Sequence, residues 1–240
     1  MKRILIAALV LSLGVLAGPA AADTLWYNGD FNGSGYSLTN SHKYQDLGGG
    51  SYFQQDGQVY DDFVVPAGGW TVNSVCSSNL FTSTVVVSGA TWEIRAGVSA
   101  GNGGTVVASG SGVPTLTDTG RGTGSYTEYQ VLISGLNFHL APGRYWLNVT
   151  PSINMTGPPA DNSYSYNSPT SGANAVGQPP GNNGNSYWNL YTHFGNGSTY
   201  TQYFVDISSY YGIVADYSMG IAGKIVTVPL GGTVLELLLN

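Results

Sequence analysis

Cysteine is almost absent from this 240-residue chain, in which Cys76 is the only one. An intramolecular disulfide is therefore excluded. Cys76 lies in an alternating apolar segment, which predicts a small buried side chain on a strand. An intermolecular disulfide or a reactive thiol is the alternative, because the N-terminus predicts export to an oxidising compartment.

Charged side chains are also scarce, at 8% of residues, and bases are the rarer sign, with 7 Lys and Arg against 13 Asp and Glu. No cluster of basic residues occurs in the sequence. Nucleic acid is therefore excluded as a partner, and an anionic lipid surface would repel the chain.

Long apolar runs are limited to the N-terminus. Lys2 and Arg3 precede an apolar stretch at residues 4–17, and Ala20 and Ala22 occupy the −3 and −1 positions before Asp23. This order is typical of a bacterial secretory signal peptide over residues 1–22, with cleavage after Ala22. We therefore expect a secreted protein, located outside the cell or at the cell surface.

Helical periodicity is missing from the rest of the chain, whereas alternation of apolar and polar residues is frequent. Residues 90–96 place Trp92 and Ile94 on one face of a strand, and the pair Glu93 and Arg95 on the other. Short strands separated by Gly-rich turns, with 35 Gly in the chain, predict an all-β fold. We expect an antiparallel β-sandwich or jelly roll over residues 23–228.

One segment, residues 151–185, holds six of the eleven prolines. It is either a long ordered loop that carries a binding function or a mobile insertion without a role. Beyond this domain, residues 229–240 form an apolar tail. Its apolar stretch is short and contains Glu236, so we expect no stable membrane span.

Catalytic motifs are absent. The chain has no G-x-S-x-G segment, no paired Cys or His with zinc spacing, and only three glutamates: Glu93, Glu128 and Glu236. A glycoside hydrolase needs two carboxyl groups facing one site. Glu93 and Glu128 could meet across neighbouring strands, but alternation predicts that both face solvent. We therefore predict that the protein is not an enzyme.

Calcium is the one cofactor for which the sequence offers a pattern. Asn28, Asp30 and Asn32 alternate, and Gly33 follows at the sixth position, as at the start of a twelve-residue calcium loop. The twelfth position is Thr39 rather than Glu, so the match is incomplete. The adjacent carboxylates Asp61 and Asp62 are a second candidate pair of ligands, with a solvated pair as the alternative.

Aromatic residues are abundant, with 17 Tyr, 7 Phe and 5 Trp. Their faces stack on sugar rings, and a cluster of them could form a glycan platform. The alternative is that they pack in the core. The candidates for sugar binding are Trp26, Tyr27, Trp146, Tyr187 and Trp188.

Several segments together resemble a group of exported bacterial proteins that often carry a C-terminal PEP-CTERM sorting signal. The segments are residues 25–31, 60–66, 89–99, 170–177 and 217–220. The resemblance implies export and carries over no catalytic residue. The tail departs from the pattern, because Val228 and Pro229 are followed by Leu230 and Gly231 and no basic cluster ends the chain. It looks like a degenerate or truncated sorting signal, or an edge strand.

These observations predict a secreted, non-enzymatic β-sandwich that acts at the cell surface or in the extracellular matrix. Its expected partners are extracellular polysaccharide or other surface proteins. A carbohydrate-binding module with an exposed Trp and Tyr cluster is the alternative, and a cryptic glycan hydrolase is the second alternative.

Overall fold

The computed structural model describes residues 22–33, 38–48, 51–83, 85–155, 165–179 and 183–226. The predicted signal peptide up to residue 21 and the tail at 229–240 lie outside the described residues, as do parts of the proline-rich segment. No helix in the described ranges has the length and apolar character needed to cross a membrane.

The described residues are almost entirely β-strand, which confirms the all-β prediction. They contain sixteen strands and one helix. The elements are β1 (Asp23–Tyr27), β2 (Leu38–Thr39), β3 (His42–Gly48), β4 (Ser51–Val65), β5 (Trp70–Phe81), β6 (Val85–Ala96), β7 (Thr105–Gly112), β8 (Thr115–Thr123), β9 (Tyr126–Leu140), β10 (Gly143–Met155), β11 (Ser165–Asn167), β12 (Pro169–Thr170), β13 (Tyr187–Phe194), β14 (Thr199–Asp206), α1 (Ile207–Tyr211), β15 (Asp216–Tyr217) and β16 (Met219–Ile225).

Two seven-stranded sheets form a sandwich. In sheet I, β5 lies at the centre, with β9 and then β8 on one side. On the other side of β5, its first part pairs with β16, which in turn pairs with β1. The end of β5 pairs with β11, which in turn pairs with β2. Sheet II has the order β14-β13-β4-β3-β10-β6-β7, and only its β3–β10 pair is parallel. β12 and β15 form a separate two-stranded ladder.

Large apolar side chains fill the space between the sheets. Phe63 and Trp70 stack with ring centroids 5.8 Å apart, and Trp26 packs on Phe63 at 5.3 Å. The predicted alternation in β6 is confirmed, because Ile94 is fully buried. On the other face of that strand Arg95 Nε lies 2.7 Å from Glu93 Oε2, as expected.

Sheet II contains a fork, because β4 pairs directly with the first residues of β10 and is then separated from it by β3. Asn40, fully buried, lies just before β3. Its Nδ2 donates to the Val149 carbonyl at 2.7 Å, and the Thr150 hydroxyl donates to its Oδ1 at 2.8 Å. Asn148 Nδ2 donates to the Val59 carbonyl at 2.8 Å. These side chains replace ladder bonds that the diverging strands cannot make.

The described parts of the proline-rich segment are joined to the sandwich. β10 extends into it, and β11 and β12 pair with other strands. Val176 forms an isolated bridge with Tyr27, at the end of β1. Residues 171–179 therefore lie beside the edge of sheet I.

Candidate functional site

A groove of about 540 Å³ crosses the outer face of sheet I. Its lining includes the small side chains of Ser74 and Cys76 on β5, and Gly220 and Ala222 on the neighbouring β16. Cys76 is directly paired with Gly220, and Ser74 with Ala222. Since side chains two residues apart share a face of a strand, four small residues lie together there. They form the floor of the groove, with room above them for a ligand.

Tyr27 lies against this floor. A Cβ built on Gly220 would lie 3.3 Å from Tyr27 Cδ2 and 3.1 Å from Cys76 Sγ, closer than ordinary contact. Any larger residue at position 220 would therefore displace the tyrosine ring or the thiol. The missing side chain allows the Tyr27 ring to approach the sheet.

A chain of polar contacts flanks the groove. Tyr27 donates its hydroxyl to Asp30 Oδ1 at 2.7 Å. Arg121 Nη1 lies 2.9 Å from the same oxygen, and Arg121 Nε lies 2.6 Å from Glu128 Oε2. Asn174 Nδ2 donates to the other oxygen of Asp30 at 2.7 Å. Arg121 therefore bridges two carboxylates that come from different elements.

These contacts set the protonation of the groove. Burial opposes ionisation of Asp30, but the hydrogen bonds from Tyr27 and Asn174 and the nearby Arg121 hold its pKa below the usual value. Burial raises the pKa of Tyr27 well above its usual range. Burial also raises the pKa of Cys76 to about 12. The groove thus holds an ionised carboxylate, a guanidinium, a neutral phenol and a protonated thiol at neutral pH.

An apolar cleft of about 560 Å³ adjoins the groove and shares Thr24 and Val176 with it. Its apolar lining consists of Leu25, Val64, Pro66, Trp70, Val176 and Ile225. The indole N–H of Trp70 is buried and has no hydrogen-bond partner. The same side of the molecule therefore carries a polar groove and an apolar cleft next to each other.

The predicted calcium residues in the loop after β1 have separate partners. Asn28 is buried and donates from Nδ2 to Asp61 Oδ2 at 2.9 Å. Asp30 is held by Tyr27 and Arg121, and Asn32 is exposed. Of the predicted set, the structure thus brings Asn28 and Asp61 into contact. Within the described part of the chain, no three His, Cys, Asp or Glu side chains are grouped to hold a metal ion.

Asp61 and Asp62 are both fully buried, on opposite faces of β4. Asp61 accepts hydrogen bonds from the backbone N–H groups of Tyr217, at 2.5 Å, and Asp62, at 2.8 Å. Asp62 pairs with Arg144 and accepts from Asn183 Nδ2 at 2.8 Å. Both carboxylates therefore already accept hydrogen bonds from N–H donors. Asp61 connects β4 to β15, and Asp62 connects β4 to β10 and to the residues before β13.

The five aromatic candidates occupy three regions. Trp26 and Trp188 are buried in the main core, and Trp188 Nε1 donates to the Thr39 carbonyl at 3.1 Å. Trp146 and Tyr187 meet on the outer face of sheet II, with centroids 6.3 Å apart, in a second buried cluster. Tyr27 lines the groove. Of this set, Tyr27 alone combines a position in the groove with a half-buried ring.

Glu93 and Glu128 do not meet across neighbouring strands, and the expectation that both face solvent is wrong for Glu128. Glu93 belongs to sheet II and Glu128 to sheet I. Glu128 is fully buried, because β8 lies beside it and covers it with Arg121 and Thr119. Alternation correctly placed Glu128 on the face of β9 that points away from the core. The pattern of one strand does not show, however, that a neighbouring strand covers that face.

A contact that the sequence did not reveal joins three strands of sheet II. His42 Nδ1 lies 2.8 Å from Asp56 Oδ1, and His42 Nε2 lies 2.7 Å from Thr91 Oγ1. This is the order of acid, base and hydroxyl found in nucleophilic sites. Thr91 is paired with Thr150 on one side and Ser111 on the other. Backbone N–H groups in such ladders are not free to stabilise an oxyanion. The contacts of His42 connect β3 to β4 and β6.

Comparisons with protein-family models, curated proteins and solved structures found no match to this chain.

Proposed function

We propose that this protein is a secreted, non-enzymatic β-sandwich of the cell surface or extracellular matrix, and that it binds polysaccharide in the groove on sheet I. The observation that carries this proposal is the floor of four small side chains beside the Tyr27–Asp30–Arg121 chain of contacts. It combines space, a flat aromatic ring and fixed polar groups on one open face.

The chemistry of the groove suits sugar hydroxyls. Gln130 and Arg121 offer N–H donors, and Asp30 and Ser74 offer oxygen acceptors. The Tyr27 ring offers an apolar face against which a sugar ring can stack. The Asp30–Arg121 pair fixes these groups before a ligand arrives, which lowers the entropic cost of binding.

The charge of the protein favours a neutral polysaccharide over an acidic one. The formal net charge of the chain is −6, and Arg121 in the groove is already paired with two carboxylates. An acidic polysaccharide would meet repulsion from the protein, and the described lining of the groove has no basic side chain besides Arg121 to attract it. We therefore propose a neutral polysaccharide as the ligand.

Features of the sequence support the secretion of this protein. The signal-peptide pattern of residues 1–22 and the resemblance to exported proteins with a PEP-CTERM signal support secretion. A secreted protein would meet extracellular polysaccharide directly.

The test is a calorimetric titration of the full mature protein with neutral bacterial polysaccharides. Ser74→Tyr fills the floor of the groove with a large side chain at a half-buried site. The matched control is Ser88→Tyr, at an exposed position on β6 of sheet II. We expect wild type and Ser88→Tyr to bind and Ser74→Tyr to lose binding. Equal binding by all three proteins would exclude the groove as the site.

The hydrolase alternative is tested in the same samples by assaying new reducing ends. A non-enzymatic protein leaves their number unchanged. Hydrolysis that Glu93→Gln or Glu128→Gln abolishes would overturn the non-enzymatic assignment.

A further inference from the structure

β7 forms an open edge of sheet II, with β6 on one side. No other strand of the described residues pairs with its second side. Its eight residues read TVVASGSG, and seven of them are exposed. Every second residue along this edge therefore directs its backbone N–H and C=O away from β6, toward water, and these groups form a template for another strand.

The other long edge strands carry residues that block pairing with a second chain, whereas β7 does not. Natural edge strands are commonly blocked by charged side chains or proline. β1 carries Asp23, β8 carries Asp118 and Arg121, and β14 ends at Asp206. β7 carries neither a charge nor a proline. Among the edge strands longer than two residues in the described chain, it alone lacks any charge.

Apolar side chains surround the same edge. Val106 is 43% exposed and Val107 is 46% exposed on β7 itself. Val113, in the link from β7 to β8, is 86% exposed, and Leu116 of β8 is 41% exposed. The side of the sandwich where the two sheets are connected is therefore apolar as well as unpaired, which marks it as a surface for association.

We propose that β7 is a self-association edge, which pairs antiparallel with β7 of a second copy and continues sheet II across a two-fold axis. An open edge selects an extended polypeptide segment as its partner. An antiparallel pair of identical strands is self-complementary, so it closes as a dimer. The copies are both acidic, and an uncharged strand is where they can approach with the least repulsion.

The geometry allows this dimer to bind ligand. The polysaccharide groove lies on the outer face of sheet I, whereas β7 extends sheet II sideways. Two grooves would stay open in the dimer, so a long polymer with repeated units would be held at two points. The pairing of β7 itself does not depend on the proposed ligand.

The experiment measures the mass of the full mature protein by light scattering and by analytical ultracentrifugation over a series of concentrations. Val107→Lys adds a charge to the edge at an exposed position. Val214→Lys is the matched control, because Val214 is 63% exposed and lies between α1 and β15. We expect a dimer for wild type and Val214→Lys, and a monomer for Val107→Lys with an unchanged near-ultraviolet circular dichroism spectrum.

A second measurement locates the contact. Ser109→Cys places a thiol on β7, and Thr201→Cys places one on β14, the opposite edge of sheet II. Both variants are made in a Cys76→Ser background, so that the label reacts only with the introduced thiol. Nitroxide labels on Ser109→Cys should show a short inter-copy distance, and labels on Thr201→Cys a long one. A wild-type monomer at every concentration, a dimer of Val107→Lys, or short distances at Thr201→Cys would each overturn the proposal.

Discussion

Arg121 and Glu128 form an ion pair in which the glutamate is fully buried and the arginine is one-third exposed, at 33%. The two side chains join β8 to β9, and Arg121 continues to Asp30 beside the groove. The shape of the groove and the stability of sheet I thus depend on one guanidinium.

Replacing this arginine should therefore destabilise the protein. Arg121→Ala leaves the Glu128 carboxylate buried without its cation. The free energy of unfolding should fall by about 2–3 kcal/mol. This loss is smaller than the loss for a fully buried ion pair, because Arg121 is partly exposed to water. Urea denaturation measures the loss. Adding Glu128→Gln removes the buried charge and should recover part of it. Lys224→Ala, which removes an exposed base of β16, should change stability by less than about 0.5 kcal/mol.

The contribution of Asp61 to the stability of the fold should fall as pH rises above the acidic range. Burial, and then the nearby Asp216 carboxylate, raise the pKa of Asp61 well above its usual value. The folded protein therefore keeps a proton that the unfolded chain loses near pH 3.9. This contribution is fully present below that pH and is lost as pH rises through the folded pKa.

The measurement is the urea midpoint across a pH series for wild type and Asp61→Asn. The variant should lose this decline with pH. Asp30 acts in the opposite direction, because its pKa is lowered and its contribution is lost as pH falls through the folded pKa. Asp30→Asn is therefore the control, and it should keep the decline at higher pH. A dependence on pH that is the same in wild type and Asp61→Asn would contradict this assignment.

Lys43 should impose a second pH dependence. It is 4% exposed, and burial lowers its pKa to about 7, against about 10.4 in an unfolded chain. Between these two values the unfolded chain holds the proton more often, so stability should rise with pH across this window. Lys43→Met keeps the length of the side chain and should remove the rise. Thermal unfolding of both proteins at pH 7 and at pH 9 tests this, and parallel shifts would refute it.

The fork in sheet II should be sensitive to a single amide. Asn40→Ala removes the donor to the Val149 carbonyl and the acceptor for Thr150, both of which are buried. Ser77 Oγ still donates to the Val149 carbonyl at 3.0 Å, and the Thr150 hydroxyl still reaches Asn148 Oδ1 at 2.9 Å. The loss of one bond at each buried group should therefore cost about 1–2 kcal/mol. Asn137→Ala, at an exposed position of β9, is the control and should cost far less. A loss for Asn40→Ala no larger than for Asn137→Ala would mean that water replaces the amide.

Local alternation predicted what individual strands do. It assigned Ile94 to the core and paired Glu93 with Arg95, because both results depend only on the period of one strand. The same period holds in β10, where Tyr145, Leu147 and Val149 share one face and all three are in the core.

Contacts between distant strands were beyond the sequence. The burial of Glu128, the fork at Asn40 and the link from His42 to Thr91 all depend on which strands become neighbours. The floor of the groove likewise depends on a strand pairing that the sequence does not show. Ser74 and Ala222 are ordinary small residues in their own strands, and they form a depression only because β5 and β16 pair in one register.

The pairing of β1 with β16 has a mechanical consequence. Asp23, at the start of β1, lies opposite Gly223, close to the end of β16. The chain therefore enters and leaves sheet I at adjacent points. A force that pulls on both ends would separate these two strands one hydrogen bond at a time, as a zipper opens, instead of shearing the whole ladder at once. The sandwich should therefore yield at low force when stretched through its ends, whatever its resistance to heat or denaturant.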